Sequence, residues 1–161
     1  MLRRIVQNAV GEFSMGYAKR VEISVDVVSN SITVTDDGAG IPKRMLPSIW
    51  SFYDMPGMYP ADYEYEPTRG VRLVLANSRC LKLVNCRDGF VQTAVYENGK
   101  LVSENVDAKA EYHGNGLSVC FAPLDDVWQI KPSDRESIEA LVNEFVSRNA
   151  VLKIEVQFRM T

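Results

Sequence analysis

The sequence predicts a compact α+β domain in two layers, with helices packed against a sheet. Two stretches with apolar residues at helical spacing lie near the two ends of the chain, and several stretches between them alternate between apolar and polar residues. Some connections are very short and carry turn dipeptides such as Asn-Gly and Asp-Gly. A layered domain buries these apolar faces together.

The first helix is predicted from about Leu2 to Ala18. Its apolar stripe follows i, i+3, i+4 spacing and comprises Leu2, Ile5, Val6, Ala9, Val10, Phe13 and Tyr17. A polar stripe with a spacing of four residues comprises Arg4, Asn8 and Glu12. The helix therefore turns one face to a core and carries three polar side chains in a row on another.

Short alternating stretches predict six strands. They are Val21–Val28, Ile32–Asp36, Cys80–Asn85, Phe90–Tyr96, Leu101–Asn105 and Val151–Phe158. A helix of about two turns is predicted from Val71 to Ser78, and a longer helix follows a capping box formed by Ser133 and Glu136. The three central strands form a predicted meander.

Composition and length limit the class of protein. The 161 residues suit one domain around a single core, and we expect residues 1–161 to form one unit. With 46% hydrophobic and 24% charged residues, the chain resembles ordinary soluble proteins, and its net charge of −3 gives no basic field for nucleic acid. It shows no apolar run of membrane length and no signal peptide. We expect a cytoplasmic protein that binds neither nucleic acid nor membrane.

Cysteine and histidine usage argues against several kinds of site. Cys80, Cys86 and Cys120 lie in apolar strand patterns without Cys-x-x-Cys spacing, which favours reduced core residues over disulfides or zinc ligands. His113 is the one histidine of the chain. A zinc site or a hydrolase triad would have to use it almost alone, which argues against both.

The strongest functional signal lies at the end of the second predicted strand. Ile32, Val34 and Asp36 share a parity, so the Asp36 carboxylate points to the same inward face as the two apolar side chains. Burial of a carboxylate costs several kcal/mol unless hydrogen-bond donors meet it. Gly38 and Gly40, which lack Cβ, allow a tight turn or the close approach of a ligand. The motif is therefore either an Asx-type turn that ends the strand or a carboxylate reserved for a ligand.

Three stretches follow one another in a recognisable order: Ile5–Glu12, Gly16–Ile23 and Thr35–Pro42. Their Asp-x-Gly-x-Gly motif starts 28 residues after Asn8, with matching strands between, and a fourth stretch, Gly114–Pro123, extends the pattern. Together they resemble the ATP-binding domain of the bacterial DNA gyrase B subunit, a member of the GHKL superfamily. The resemblance implies a two-layer α/β sandwich of the GHKL (Bergerat) type, with a mixed, mostly antiparallel sheet and helices on one face.

The resemblance also implies a site for adenine nucleotide, with ATP and Mg²⁺ as cofactors. Asp36 corresponds to the aspartate that reads the adenine amino group, and Asn8 corresponds to the family's Mg²⁺ ligand. The other implied nucleotide-binding residues are Glu12 at the pocket edge, Gly38 and Gly40 in the turn, Ile41 and Pro42 under the purine, and Gly70 in the phosphate loop.

Three departures from the family weaken the expected chemistry. The family's general base, a glutamate four residues before the metal-binding asparagine, is replaced by Arg4, whose guanidinium cannot accept a proton. Arg4 either pairs with phosphate or is a solvated charge. Leu117 replaces a threonine that helps hold a water beside adenine, and Ala39 replaces an arginine in the glycine motif. We therefore expect at most a weak ATPase, with no catalytic residue assigned.

Residues 43–70 correspond to a degenerate ATP lid. The segment is rich in aromatic residues and proline, and of the family's glycine loop only Gly70 remains. Its aromatic side chains either cover the pocket or present a surface to a partner. We favour covering.

Three hypotheses follow for function. The first is a domain that binds adenine nucleotide with impaired or absent hydrolysis. The alternative is a degenerate GHKL scaffold that binds no nucleotide and serves as a protein-interaction module. The third, an active ATPase with Glu12 as the base, is the least favoured. We expect a monomer, because dimerisation in the gyrase family relies on an arm that does not match this sequence.

Overall fold

The structure is a computed structural model that describes residues 1–41, 73–107, 114–148 and 151–160. The expectations for the lid segment 43–70 and for His113 lie outside these residues. Residues 73–76 are helical, within the predicted second helix. The other helices and strands are α1 (Leu2–Ser14), β1 (Arg20–Asp26), β2 (Ser31–Asp36), β3 (Ser78–Arg87), β4 (Phe90–Glu97), β5 (Lys100–Asp107), β6 (Gly116–Pro123), α2 (Arg135–Arg148) and β7 (Lys153–Arg159).

The strands form one seven-stranded sheet with the order β5-β4-β3-β6-β2-β1-β7. Among the described strands, β1 and β7 are the one parallel pair, and the other neighbours are antiparallel. The mixed, mostly antiparallel sheet inferred from the resemblance is thus confirmed. Because β6 lies between β3 and β2, it brings together strands that are far apart in sequence.

One hydrophobic cluster joins both helices to the sheet, with members from α1, α2 and the inward positions of the strands. The alternation predicted for β1 and β2 is confirmed, since Val21, Ile23, Val25, Ile32 and Val34 are all buried. In the part of the chain that is described, no helix is long and apolar enough to cross a membrane.

The first helix ends at Ser14, four residues before the predicted end at Ala18. Gly16 adopts a left-handed conformation (φ 79°), and its N–H donates to Phe13 O at 2.9 Å. Such a glycine after the last turn satisfies free carbonyl groups and stops a helix. Tyr17, which was expected in the buried stripe, is consequently 59% exposed.

The predicted meander is confirmed, with strands slightly longer than expected. At the first turn, Asp88 and Gly89 have φ values of 52° and 79°, and at the second, Asn98 and Gly99 have values of 48° and 77°. Two consecutive left-handed residues form the hairpin turn whose twist matches that of the flanking strands. The first turn therefore fixes the β3–β4 register, whereas the β4–β5 register shifts between Val95 and Tyr96, just beyond the second turn.

The predicted capping box of Ser133 and Glu136 is wrong. A 3₁₀ turn (Pro132–Asp134) precedes α2, and its Asp134 carboxylate accepts hydrogen bonds from Lys131 N and Trp128 Nε1, both at 3.0 Å. The capping carboxylate thus lies two residues earlier than predicted. After α2, β7 pairs in parallel with β1, and α2 supplies part of the long connection that this pairing requires.

Candidate functional site

The candidate site lies where the inner face of the sheet changes from apolar to polar. Strand register places Asp36, Leu117 and Asn85 side by side on β2, β6 and β3, and Gln92 of β4 comes next to Asn85. Three of these four side chains are polar and buried. The neighbouring row is apolar and comprises Ile23, Val34, Val119, Leu83 and Ala94.

Asp36 is buried, as its parity predicted, with 7% of its surface exposed. Its Oδ1 accepts a hydrogen bond from Gly38 N at 2.9 Å, so the Asx-type turn is present. Burial raises the pKa of the Asp36 carboxyl to about 7; the hydrogen bonds from Gly38 and the Leu117 backbone oppose this rise, and the charges of Glu12 and Asp37 add to it. The local donors are therefore too few to hold the carboxyl fully ionised at neutral pH.

Residues 38–41 form the glycine turn. Its first half, Gly38 and Ala39, is held by side chains of α1 and β2. Ala39 N donates to Glu12 Oε2 at 3.1 Å, next to the bond between Gly38 and Asp36. A Cβ on Gly38 would lie 2.8 Å from Asp36 Oδ1 and 2.9 Å from Glu12 Oε2. A glycine is thus required where the backbone passes between the two carboxylates.

The second half of the turn is held by β3. The side-chain amide of Asn85 accepts from Ile41 N at 2.7 Å and donates to Ile41 O at 3.0 Å. Arg87 Nη1 donates to Gly40 O at 2.8 Å. Gly40 has a φ of 68°, and a Cβ on it would collide with Cys86 O, so the turn rests directly on the β3 backbone.

Asp37, the second carboxylate of the motif, is exposed, as parity predicted. Its Oδ1 accepts from Lys19 N at 2.6 Å and Arg20 N at 2.8 Å. Asp37 therefore links the turn to the connection between α1 and β1, on the opposite side from Asp36.

The three side chains of the polar stripe on α1 differ in burial. Arg4 is exposed, whereas Asn8 and Glu12 are half-buried. Of the residues implied by the resemblance, Glu12, Asp36, Gly38, Gly40 and Ile41 meet around the turn, and Asn8 lies one helical turn before Glu12. Pro42 and Gly70 lie outside the described residues.

Sequence reasoning missed Asn85 and Arg87. A usable signal was present, because Asn85 continues the inward parity of Leu81 and Leu83 just as Asp36 continues that of β2. A polar residue at an inward position of a strand needs a partner, and here the partner is the turn. The Arg87 contact has no comparable local signal.

Comparison with known proteins identifies the relatives of the chain. The family described as "Histidine kinase-, DNA gyrase B-, and HSP90-like ATPase" matches residues 1–137. The DNA topoisomerase 4 B subunit of Mycoplasma genitalium is 26% identical, over 96% of this chain and 26% of its own length. The type 2 topoisomerase B subunit of Aquifex aeolicus is 27% identical, over 100% of this chain and 21% of its own length. The chain therefore spans about a quarter of the length of these relatives.

Solved structures match over nearly the whole chain. The 43K ATPase domain of Thermus thermophilus gyrase B, in complex with an aminocoumarin, has a TM-score of 0.78 and 24% identity, over 98% of this chain and 42% of that one. The topoisomerase IV ATP-binding domain of Francisella tularensis, in complex with a small-molecule inhibitor, has a TM-score of 0.75 and 21% identity, over 98% and 80% of the two chains. At these identities the likeness shows the fold, and the two-layer GHKL architecture is confirmed.

Proposed function

Because this chain belongs to the family of histidine kinase-, DNA gyrase B- and HSP90-like ATPases, we propose that it binds adenine nucleotide beside the turn that follows Asp36. Hydrolysis of bound ATP is slow or absent. The proposal separates recognition of the base, which uses the buried end of β2, from hydrolysis, which needs a carboxylate on α1.

One observation carries the proposal: the buried carboxyl of Asp36, whose pKa burial raises to about 7. The adenine amino group is a hydrogen-bond donor, and a donor placed against Asp36 stabilises its ionised form. Gly38 and Gly40 let the turn fold tightly against Asp36, Glu12 and the β3 backbone, because a Cβ at either position would collide with these groups. Ile41 and Leu117, both half-buried against the core, supply apolar contact for an adenine base.

The residues present suit Mg²⁺ when it is bound through phosphate oxygens. Within residues 1–41, 73–107, 114–148 and 151–160, no three His, Cys, Asp or Glu side chains come together as a metal site. The amide oxygen of Asn8 is a suitable hard ligand, and the phosphates and waters would supply the others. Mg²⁺ would neutralise phosphate charge there.

The slow-hydrolysis half of the proposal is supported by the contacts of α1. Arg4 occupies the position of the family's base and cannot accept a proton. Glu12, the other carboxylate of the stripe, directs Oε2 to Ala39 N at 3.1 Å. Glu12 is therefore a structural support of the turn in this proposal and not a base for water.

Calorimetric titration with ADP and with a non-hydrolysable ATP analogue, each with Mg²⁺, tests the proposal. We expect micromolar to millimolar affinity that Asp36→Asn abolishes or weakens by about 10- to 100-fold, the value of a hydrogen bond to a charged group. Asp37→Asn is the matched control, because it removes the adjacent exposed carboxylate, and it should bind as the wild type does. Equal isotherms for the wild type and Asp36→Asn would reject the proposal.

Thermal shift separates this function from the scaffold alternative. A nucleotide present at 100 times its Kd stabilises the folded state by about 2.7 kcal/mol and raises the Tm. An unchanged Tm with every nucleotide, together with recovery of a protein partner, would favour an interaction module. The departures from the family at Arg4 and Leu117 are the sequence features that support this alternative.

A further inference from the structure

We infer that Asn85, supported by Arg87, is a positioning residue that holds the glycine turn where Asp36 can meet a nucleotide. The inference deepens the proposed function and rests on it. It assigns to β3 a role in the site that acts through the backbone of Gly40 and Ile41.

Asn85 uses both halves of its amide on a single residue. Its Oδ1 accepts from Ile41 N at 2.7 Å, and its Nδ2 donates to Ile41 O at 3.0 Å, so the side chain pairs with Ile41 as a neighbouring strand would. Asn85 is only 3% exposed. Without this amide, a backbone N–H and a backbone C=O beside the core lose these partners, which buried backbone groups rarely tolerate.

Arg87 holds the preceding residue from the same strand. Its Nη1 donates to Gly40 O at 2.8 Å, and 32% of its side chain is exposed. Gly40 has no room for a Cβ, because that atom would overlap Cys86 O. The second half of the turn is thus pressed against β3 and held there by two side chains.

The two halves of the turn depend on each other because they are consecutive in the chain. Gly38 donates to Asp36, and Ala39 donates to Glu12, while Gly40 and Ile41 are fixed by β3. If the β3 contacts are lost, only the first two residues keep side-chain anchors, and the backbone over Asp36 can move. A ligand would then have to order the turn as it binds, which lowers affinity.

Asn85→Ala and Asn85→Asp test the inference at Asn85. Arg87→Met tests it at Arg87, whose side chain is partly exposed, so that this variant is less prone to unfold. Asn85→Asp keeps an acceptor for Ile41 N but removes the donor to Ile41 O. Ser78→Ala is the control for a lost buried hydrogen bond on the same strand, because Ser78 lies at the other end of β3, is 2% exposed and donates from Oγ to Val74 O at 2.6 Å. Asp88→Asn is the control for Arg87, because it removes the Arg87 ion pair and leaves the bond to Gly40.

We expect Asn85→Ala to weaken ADP binding about tenfold, the equivalent of one ordinary hydrogen bond. Arg87→Met should weaken it less, Asn85→Asp should weaken it at least as much because it buries a carboxylate next to Ile41 O, and both controls should bind as the wild type does. Amide exchange at Ile41 should accelerate in Asn85→Ala at matched global stability. Wild-type affinity in both Asn85→Ala and Arg87→Met, or an equal loss in Ser78→Ala, overturns the inference.

Failure of the proposed function is recognised separately. If the wild type itself binds no adenine nucleotide, the proposed function fails, and titration of the Asp36 carboxyl by NMR then decides the inference. A loosened turn admits water, so the Asp36 pKa should fall toward its ordinary value in Asn85→Ala and stay unchanged in Ser78→Ala. An unchanged Asp36 titration in Asn85→Ala overturns the inference.

Discussion

In the proposed function, the site has a purine end at Asp36 and a phosphate end at Arg4 and Asn8, and the chain builds these two ends differently. At the purine end, hydrogen bonds tie the four residues of the turn to side chains on α1, β2 and β3. At the proposed phosphate end, Arg4 stands where the resemblance implies a general base, and Arg4 is exposed. In the proposed function, the part that reads the base belongs to the fold, whereas the position proposed for catalysis carries an exposed side chain. A chain can therefore lose hydrolysis and keep its structure.

The largest expected effect comes from Arg4→Glu, which returns a carboxylate to the exposed position on α1. A general base contributes about 10²- to 10⁴-fold to rate, so we expect ATP turnover to rise by at least about 100-fold. Phosphate release at saturating ATP and Mg²⁺ measures the change. Arg4→Gln is the control, because it removes the positive charge without adding a base. Equal turnover in the two variants would mean that charge, and not the missing base, limits hydrolysis.

The next largest effect is the pH dependence of the free energy of unfolding, which tests the buried Asp36 carboxyl at the purine end. The pKa of Asp36 rises from 3.8 to about 7 on folding because of burial. Between these pH values the folded state binds the Asp36 proton more tightly than the unfolded state does. The protonated carboxyl therefore contributes its full stabilisation below about pH 4, and this contribution is lost as the pH rises through 7. A shift of this size corresponds to at most about 4 kcal/mol.

Urea unfolding of the wild type and Asp36→Asn between pH 5 and 8.5 measures this contribution. The unfolding free energy of the variant relative to the wild type should increase from pH 5 to about pH 7 and then level off. Asp37→Asn should keep the wild-type slope, because its carboxylate is exposed and points away from the core. Parallel pH profiles for the wild type and Asp36→Asn would show that Asp36 is ionised in the folded state well below pH 7.

The fold was largely predictable from the sequence because side-chain burial alternates along β1, β2, β4 and β7. Parity placed Asp36 inward and Asp37 outward, and the Asn98-Gly99 dipeptide fixed a hairpin. Local pattern failed where long-range contact decides the outcome. The parallel pairing of β7 with β1 and the insertion of β6 beside β2 depend on distant segments.

The site was predictable in part for the same reason. The resemblance supplied Glu12 and Gly38, and the structure brings both to Asp36. Asn85 was missed although it obeys the same parity argument as Asp36, because no motif drew attention to it. Arg87 reaches Gly40 O only through the folded turn, so no spacing in the sequence indicates that contact.

A smaller effect on stability is expected when Gly40 of the glycine turn is compared with Gly89 of the β3–β4 hairpin turn. Gly40 and Gly89 have similar left-handed φ values, 68° and 79°, but only Gly40 contacts backbone where a Cβ would lie. Alanine at either position incurs about 1 kcal/mol of conformational strain, and at Gly40 the contact with Cys86 O adds further strain. We expect Gly40→Ala to lose about 3 kcal/mol of unfolding free energy and Gly89→Ala about 1 kcal/mol. Equal losses would show that the turn can move away from β3.

The smallest effect, from Glu12→Gln, decides to which end of the site Glu12 belongs. Glu12 shares its helix stripe with Arg4 and Asn8, but its Oε2 accepts from Ala39 N. Glutamine keeps an oxygen for that bond and removes a negative charge that raises the Asp36 pKa, so the Asp36 titration should move downward. ATP turnover should stay within about twofold of the wild type, since only loss of a true base lowers it by two or more orders of magnitude. A fall of two or more orders of magnitude in turnover would place Glu12 at the phosphate end. The Glu12 carboxylate would then have to leave Ala39 N and act as the base toward water during the reaction.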